Sequence, residues 1–169
     1  MTNNIDEYKY IKNIINNDVA NYYFKKLLLN INWIPILGLR KIYQYPIIEN
    51  NLLFNELLEE IVLLGNELLK NINTRRKKIK SIFLNLYENG NDKAPYHKDM
   101  YECDVLTLSF GSTRKFRIKN DITKISEGFD LNNGDGFYFT KEFNDKNKHS
   151  LMPTKKNVGQ RISVVFFIY

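Results

Sequence analysis

The first half of the chain repeats hydrophobic residues at the spacing of an α-helix, whereas the second half alternates them with polar residues. Three segments have the helical spacing, namely residues 6–15, 17–30 and 51–70. In residues 51–70, leucines and isoleucines recur every three or four positions and glutamates fill the other side, as in a helix that packs against a sheet. Asn17 or Asp18 is the predicted N-cap of residues 17–30, because a short polar side chain accepts a hydrogen bond from a free amide of the first turn.

Alternation with a period of two predicts strands over most of the second half. The predicted strands are residues 81–87, 97–99, 105–110, 113–119, 137–140 and 161–169. Turn-forming residues fill 88–92 and 130–136, and residues 141–148 have the polar composition of a loop. Helices followed by many short strands predict an α+β domain whose core is a sandwich or jelly roll.

The length and composition of the chain fit one globular domain. It has 169 residues, of which 43% are hydrophobic and 14% aromatic, enough to bury a core and too apolar for a disordered chain. No apolar run approaches the ~20 residues that cross a bilayer, and the N-terminal residues lack the pattern of a signal peptide. The lone Cys103 permits no internal disulfide, as is usual in a reducing compartment. We expect a monomer that is intracellular, cytoplasmic or nuclear and not secreted, with no membrane partner.

The chain is basic, with a formal net charge of +6 and a pI near 9.2. A basic surface favours a polyanionic partner such as nucleic acid, because cations neutralise phosphates and release counterions. Heavy use of lysine, asparagine and isoleucine is also what an AT-rich coding sequence produces. The positions of the cations therefore carry more information than their number.

One pair of residues, His97 and Asp99, has the composition of a metal site. Side chains two positions apart in a strand point to the same face, so an imidazole nitrogen and a carboxylate oxygen could bind one ion. These are two of the three ligands in the two-histidine, one-carboxylate triad, which holds Fe(II) and leaves positions open. A surface turn or an ordinary strand would show the same His-x-Asp spacing.

The third ligand would be His149, since the chain has only two histidines. A strand-like run follows each histidine: residues 105–110 follow His97, and residues 161–169 follow His149. Strands of one sheet-built core would carry both rings to the same place.

Residues 34–47 mix aromatic rings with cations, a combination that offers a stacking plane and phosphate contacts to an unstacked base. Arg40, Tyr43 and Tyr45 are the candidate substrate-binding residues of this segment, and Gln44 lies among them. Aromatic strands whose cations reach solvent would have the same composition.

A second cationic segment is the strand predicted over residues 113–119. Apolar residues alternate there with Lys115, Arg117 and Lys119, which predicts a half-exposed strand with one cationic face. Lys115 and Arg117 are further candidates for contacts with a nucleic-acid backbone. A solvated edge strand is the alternative.

Short motifs follow one another along the second half of the chain. They are Asn-x-Tyr at 85–87, His-x-Asp at 97–99, LSFGSTRKFRI at 108–118, LNNGDGFYF at 131–139, HSLMP at 149–153 and GQRIS at 159–163. In this order they resemble the AlkB-like Fe(II)/2-oxoglutarate-dependent dioxygenases, the nucleic-acid dealkylases, and the resemblance extends from Asn17 to Tyr169. It implies one domain over residues 1–169, with helices and a candidate nucleotide lid in 1–50. Residues 81–169 would form a double-stranded β-helix, or jelly roll, with the N-terminal helices packed on one sheet.

The resemblance also implies roles for individual residues. The Fe(II) ligands would be His97, Asp99 and His149, and the reaction would use 2-oxoglutarate and O2. Arg161 would bind the far carboxylate of 2-oxoglutarate in a bidentate salt bridge, a geometry that suits guanidinium. The other residues in contact with 2-oxoglutarate would be Asn85, Tyr87 and Ser163.

Two positions depart from the family pattern. Phe167 occupies the place of a second arginine that family members commonly use to bind the cosubstrate, and Ser163 stands where an asparagine is frequent. Loss of a charge-assisted hydrogen bond costs about 1.5–3 kcal/mol. Lys155 and Lys156 are candidates for a replacement cation.

Three functions follow as hypotheses. The first is oxidative demethylation of N-alkylated bases in single-stranded or locally opened DNA or RNA. The second keeps the iron chemistry on a protein or nucleoside substrate, because the triad itself selects no substrate. The third, motivated by Phe167, is a nucleic-acid-binding domain whose oxygenase activity has decayed.

Overall fold

The computed structural model describes residues 7–46 and 55–169, which contain three helices and eleven strands. The helices are α1 (Asn17–Asn30), α2 (Glu56–Lys70) and α3 (Lys141–Lys146). The strands are β1 (Tyr8–Ile11), β2 (Ile34–Ile36), β3 (Arg40–Pro46), β4 (Ile79–Tyr87), β5 (Ala94–His97), β6 (Asp104–Gly111), β7 (Arg114–Asn120), β8 (Ser126–Leu131), β9 (Gly136–Phe139), β10 (Asn147–Leu151) and β11 (Arg161–Ile168). None of the described helices is long and apolar enough to cross a membrane.

The strands form two sheets. The major sheet has seven strands in the order β1-β9-β6-β11-β4-β3-β2, and the minor sheet has four in the order β5-β10-β7-β8. All the pairings are antiparallel. The inner faces of the sheets share a core, in which Phe116 of β7 packs against Phe137 of β9 at a ring-centroid distance of 4.8 Å. The predicted α+β fold with a jelly-roll core is confirmed.

Alternation along the major sheet separates two environments. On β11, Ile162, Val164 and Phe166 point to the side covered by α1 and α2, and they are fully buried. The intervening residues of β11 point towards the minor sheet. We call these two sides of the major sheet the helix face and the site face.

Helices α1 and α2 cover the helix face with their apolar sides, as the spacing of their hydrophobic residues predicts. The predicted helix 17–30 is confirmed, although its N-cap is Asn16, whose side chain accepts a hydrogen bond from the amide of Val19 at 2.9 Å. Helix α2 begins at Glu56 after the N-cap Asn55, and its apolar stripe packs on the sheet. Residues 51–54 of the predicted helix lie outside the described part of the chain.

Two local predictions were wrong. Residues 8–11 of the segment 6–15 form strand β1 instead of part of a helix, because pairing with β9 outweighs the local spacing of apolar residues. The predicted loop 141–148 contains α3 and the start of β10, and a Thr140 cap stabilises that short helix. Strand β8 was not predicted, and its residues are mostly exposed.

Candidate active site

His97 and His149 are cross-strand neighbours at one end of the minor sheet. Antiparallel pairing of β5 with β10 places the two residues directly opposite each other, with ring centroids 4.3 Å apart. Asp99 lies between them, with one carboxylate oxygen 4.0 Å from His97 Nε2 and the other 3.7 Å from His149 Nε2. Three potential ligand atoms therefore lie within 4.8 Å of one another. The structure brings together the three residues that the sequence pattern nominated as ligands.

Both rings are prepared to offer a nitrogen lone pair. The Nδ1 of His97 lies 2.7 Å from the carbonyl oxygen of Pro95, and since that oxygen can only accept, Nδ1 donates and Nε2 is the free nitrogen. Burial and, to a smaller extent, the neighbouring His97 together lower the pKa of His149 to about 3. A neutral imidazole is the form that binds a metal ion.

Asp99 is positioned from α3 and not by strand geometry. Strand β5 ends at His97, so the prediction that His97 and Asp99 alternate within one strand was wrong. The backbone amide of Asp99 donates to Asn144 Oδ1 at 3.1 Å, and Asn144 Nδ2 donates back to the Asp99 carbonyl at 2.8 Å. The buried Asn144 thereby fixes the peptide that carries the carboxylate.

The donor set of these three residues suits a divalent iron ion. Burial raises the pKa of Asp99, whereas its interaction with His97 lowers it. One carboxylate oxygen, Oδ2, is buried and has no hydrogen-bond partner among the described residues. A buried carboxylate oxygen without a partner is costly unless a cation binds it. Two imidazoles and one carboxylate, placed beside an open cavity, are the ligands of the facial Fe(II) triad.

The triad opens into a cavity of about 410 Å³ between the two sheets. Arg161 lines this cavity and is 1% exposed. Its Nε donates to Ser109 Oγ at 3.2 Å, and its guanidinium carbon lies 5.4 Å from the centre of the Tyr87 ring. Burial lowers the pKa of Arg161 to about 10, and no aspartate or glutamate within the described ranges forms an ion pair with it. A buried guanidinium without a counter-ion is suited to bind an anionic ligand.

The predicted cosubstrate residues share the site face with Arg161. Tyr87 pairs with Arg161 and Asn85 pairs with Ser163 in the register of β4 and β11, and all four line the cavity. Asn85 Nδ2 donates to Ser163 Oγ at 3.2 Å. The structure thus places these side chains in one pocket with the triad, and their role in binding 2-oxoglutarate remains a prediction.

The candidate substrate-binding residues separate into three groups. Arg40 lines the cavity and its Nε donates to Asn85 Oδ1. Tyr43 and Tyr45 lie on the helix face instead, where Tyr45 is 2% exposed and its hydroxyl donates to Glu59 of α2. They are directed away from the triad because they occupy the other parity of β3, in register with Leu84 and Ile82.

Lys115 and Arg117 belong to the outer surface of the minor sheet. Both are exposed and line a second cavity, away from the triad. Lys115 forms an ion pair with Asp130 at 2.9 Å. The structure does not bring these two residues to the metal centre, so any contact they make with a substrate would be outside the pocket.

Phe167 is an apolar residue, and the contact it makes at the cavity is with another aromatic ring. It lines the cavity and packs against the ring of Tyr101 at 4.4 Å, and the Tyr101 hydroxyl accepts a hydrogen bond from Gln44 Nε2 at 3.3 Å. Lys155 and Lys156, the candidate replacement cations, are exposed and do not line this cavity.

The sequence patterns did not predict a role for Tyr101 or Asn144, because neither residue belongs to a motif. A short helix cap at Thr140 was the one local signal for the segment that holds Asn144.

Comparisons with known proteins agree with this arrangement. The sequence pattern of the 2OG-Fe(II) oxygenase superfamily matches residues 6–166. The uncharacterized protein R406 of Acanthamoeba polyphaga mimivirus is 34% identical over 85 residues, which cover 47% of this chain and 44% of that protein. The match therefore spans less than half the length of that relative.

Solved structures show the same fold at low sequence identity. A prolyl-4-hydroxylase of Pseudomonas putida has a TM-score of 0.68 and 12% identity, over 96% of this chain and 91% of that chain. OsALKBH1 has a TM-score of 0.62 and 15% identity, over 95% and 97%. An oxidoreductase of the 2OG-Fe(II) oxygenase family from Burkholderia pseudomallei has a TM-score of 0.69 and 14% identity, over 96% and 85%. Since the family pattern covers nearly the whole chain, the protein belongs to the 2OG-Fe(II) oxygenase superfamily, whose members use Fe(II), 2-oxoglutarate and O2.

Proposed function

We propose that this protein is an Fe(II)- and 2-oxoglutarate-dependent dioxygenase that removes alkyl groups from nitrogen atoms of bases in DNA or RNA. The observation that carries the oxygenase chemistry is the convergence of His97, Asp99 and His149 beside a cavity that the buried Arg161 also lines. That arrangement also argues against a decayed enzyme, because neither a metal ligand nor the buried cation has been lost.

Seven residues of the pocket would share the work of binding iron and 2-oxoglutarate. The two imidazoles and Asp99 would hold Fe(II), and Arg161 would bind the far carboxylate of 2-oxoglutarate, with Asn85, Tyr87 and Ser163 beside it. With Fe(II) bound, O2 would be the oxidant: one of its oxygen atoms would enter 2-oxoglutarate, which leaves as succinate and CO2, and the other would hydroxylate a C–H bond. Hydroxylation of an N-alkyl carbon gives a hemiaminal, which releases formaldehyde from a methyl group and restores the base.

Charge and motif order support a nucleic-acid substrate. The net charge of +6 favours a polyanion, and the motif order resembles that of AlkB-like enzymes. The likeness in fold to OsALKBH1 is consistent with this choice. Tyr101 provides an aromatic ring at the cavity, where Tyr43 and Tyr45 were expected to provide one.

The decisive experiment measures formaldehyde and succinate with single-stranded oligonucleotides that contain 1-methyladenine or 3-methylcytosine. We expect both products to require Fe(II) and 2-oxoglutarate, and we expect Asp99→Ala to abolish them. Exposed Asp145 of α3 provides the matched control, because Asp145→Ala removes a carboxylate outside the pocket. Succinate without formaldehyde on every methylated oligonucleotide would reject the nucleic-acid part of the proposal and retain the oxygenase part.

A protein substrate is the second candidate. It is favoured by the orientation of Tyr43 and Tyr45 towards α2, which removes two of the three aromatic or cationic side chains proposed to contact a base. The likeness in fold to a prolyl-4-hydroxylase points the same way. Binding of single-stranded DNA as a function of salt separates the candidates, since neutralised phosphates give a steep dependence and a protein hydroxylase gives little.

A further inference from the structure

Arg40 lines the cavity without a carboxylate partner among the described residues. Its Nε donates to Asn85 Oδ1 at 2.5 Å, and it shares the cavity with Arg161. The next residue, Lys41, is neutralised by Glu88 at 2.8 Å. A guanidinium that faces a cavity and has no counter-ion nearby offers its remaining donors to an anionic ligand.

Three polar side chains form a row across the site face beside Arg40. Asn85 of β4 pairs with Ser163 of β11, which pairs with Ser109 of β6. Asn85 Nδ2 donates to Ser163 Oγ at 3.2 Å. Neighbouring strands are separated by about 4.8 Å, so the row is roughly 10 Å long.

One guanidinium contacts each end of this row. Arg40 Nε donates to Asn85 at one end, and Arg161 Nε donates to Ser109 at the other, at 3.2 Å. The two arginines start level with each other, because Lys41 pairs with Leu86, and Arg161 pairs with Tyr87, the next residue of β4. A small dicarboxylate lying along the row would therefore meet a cation at each end.

We infer that Arg40 is the second cationic anchor of 2-oxoglutarate and binds the carboxylate of its keto-acid end, opposite the far carboxylate at Arg161. The inference rests on the proposed function. Arg40 would supply a second cation to a pocket in which Phe167 occupies the place of the family's second arginine. The ring of Phe167 contacts Tyr101 and carries no charge. The second cation comes from β3, a different part of the chain from the final strand.

Calorimetry with Mn(II) in place of iron tests this assignment on the full chain. The two probes are 2-oxoglutarate and 2-oxovalerate, a keto acid of the same chain length that lacks the far carboxylate. We expect Arg40→Gln to weaken both probes about tenfold or more, because each loses one charge-assisted hydrogen bond. Arg161→Gln should weaken 2-oxoglutarate alone.

Two further variants make the test specific. Arg40→Lys should recover part of the lost affinity, because it restores the charge without the planar fork. Lys41→Gln is the matched control and should bind both probes as the parent does. Thermal unfolding of each variant without ligand verifies that the fold is intact.

Each other outcome has a defined meaning. If Arg40→Gln binds both probes with the affinity of the parent, the inference is overturned. Arg40 would then be a candidate to contact the primary substrate. Weakening of 2-oxoglutarate alone by Arg40→Gln would place Arg40 at the far carboxylate and overturn it as well. A parent protein that binds neither probe in the presence of Mn(II) would instead reject the proposed function.

Discussion

Adjacent residues of β11 lie in two environments that are equally buried and chemically opposite. On the helix face, Ile162, Val164 and Phe166 are surrounded by hydrophobic side chains of α1, α2 and the neighbouring strands. On the site face, Arg161 and Ser163 are 1% and 4% exposed, yet they are polar and line a cavity. Exclusion from solvent therefore does not distinguish the core from the candidate active site.

The difference lies in what compensates burial. Burial of apolar side chains on the helix face stabilises the fold by about 25 cal/mol for each Å² removed from water. Burial of polar groups on the site face destabilises the fold unless a partner replaces their hydration. Among the described residues, Arg161 forms no ion pair, and Asp99 is approached only by the imidazoles of His97 and His149, so their compensation is expected from ligands. The helix face should consequently control stability, and the site face should control binding.

Truncation on the helix face should have the largest effect on stability. Phe166 is fully buried, and its ring lies so close to α2 that a Cβ built on Gly65 would approach it to 2.5 Å. Phe166→Ala leaves a cavity between β11 and α2, and we expect it to cost about 3–5 kcal/mol of unfolding free energy. Urea unfolding of the metal-free protein measures this cost. A cost below about 1 kcal/mol would contradict the assignment of this face as the main source of stability.

Removal of the Asp99 carboxylate, on the other side of the cavity, should weaken metal binding without lowering stability. We expect Asp99→Ala to weaken metal binding by about a hundredfold or more, since even residues that only support metal ligands contribute 10–100-fold. The unfolding free energy without metal should stay equal or rise, because an uncompensated buried carboxylate is removed. Metal content after dialysis and urea unfolding in a chelator test the two halves. A large loss of stability in the chelator would show that Asp99 has a structural role.

Arg161 provides a sharper version of the same test. Because burial lowers its pKa, folding disfavours the charged form, and the charge costs stability at every pH below the pKa of about 10. We expect Arg161→Met to leave stability at pH 7 equal or higher and to weaken 2-oxoglutarate about 10–100-fold. Calorimetry with Mn(II) and thermal unfolding without ligand measure both quantities. Lower stability together with parental affinity would reverse the proposed division between the faces.

The smallest effect is expected at Ser163. Ser163→Ala removes one neutral hydrogen bond to Asn85, worth about 1 kcal/mol. We expect a change of this size, divided between stability and 2-oxoglutarate affinity, and no loss of metal binding. Loss of the metal would mean that the polar row positions the triad as well as the cosubstrate.

Local sequence patterns predicted the parts of this protein that depend on local chemistry. The helix 17–30, the strand 81–87 and the apolar stripe of α2 follow from residue spacing, and the structure contains all three. The patterns failed where distant residues decide the outcome. Tyr8 and Tyr10 lie in a strand because β9 is available to pair with them, which spacing within 6–15 cannot reveal.

The candidate site shows the same division. The sequence supplied its ligand types, because a chain with two histidines and one His-x-Asp pair leaves few ways to build a facial triad. It could not supply the parity of β3, which turns Arg40 to the cavity and Tyr45 to α2. A shift of one residue in strand register exchanges the two faces, and pairing partners fix that register.

The sequence by itself determined which side chains could bind iron and an anionic cosubstrate, because residue type sets donor atoms and charge. The tertiary structure alone decided that Asn144 holds the Asp99 peptide, and that Arg40 and Arg161 contact opposite ends of one polar row. Asp99 and Asn144 are 45 positions apart in the chain, and Arg40 and Arg161 are 121 positions apart. Only the pairing of strands and the packing of sheets bring such distant groups into contact.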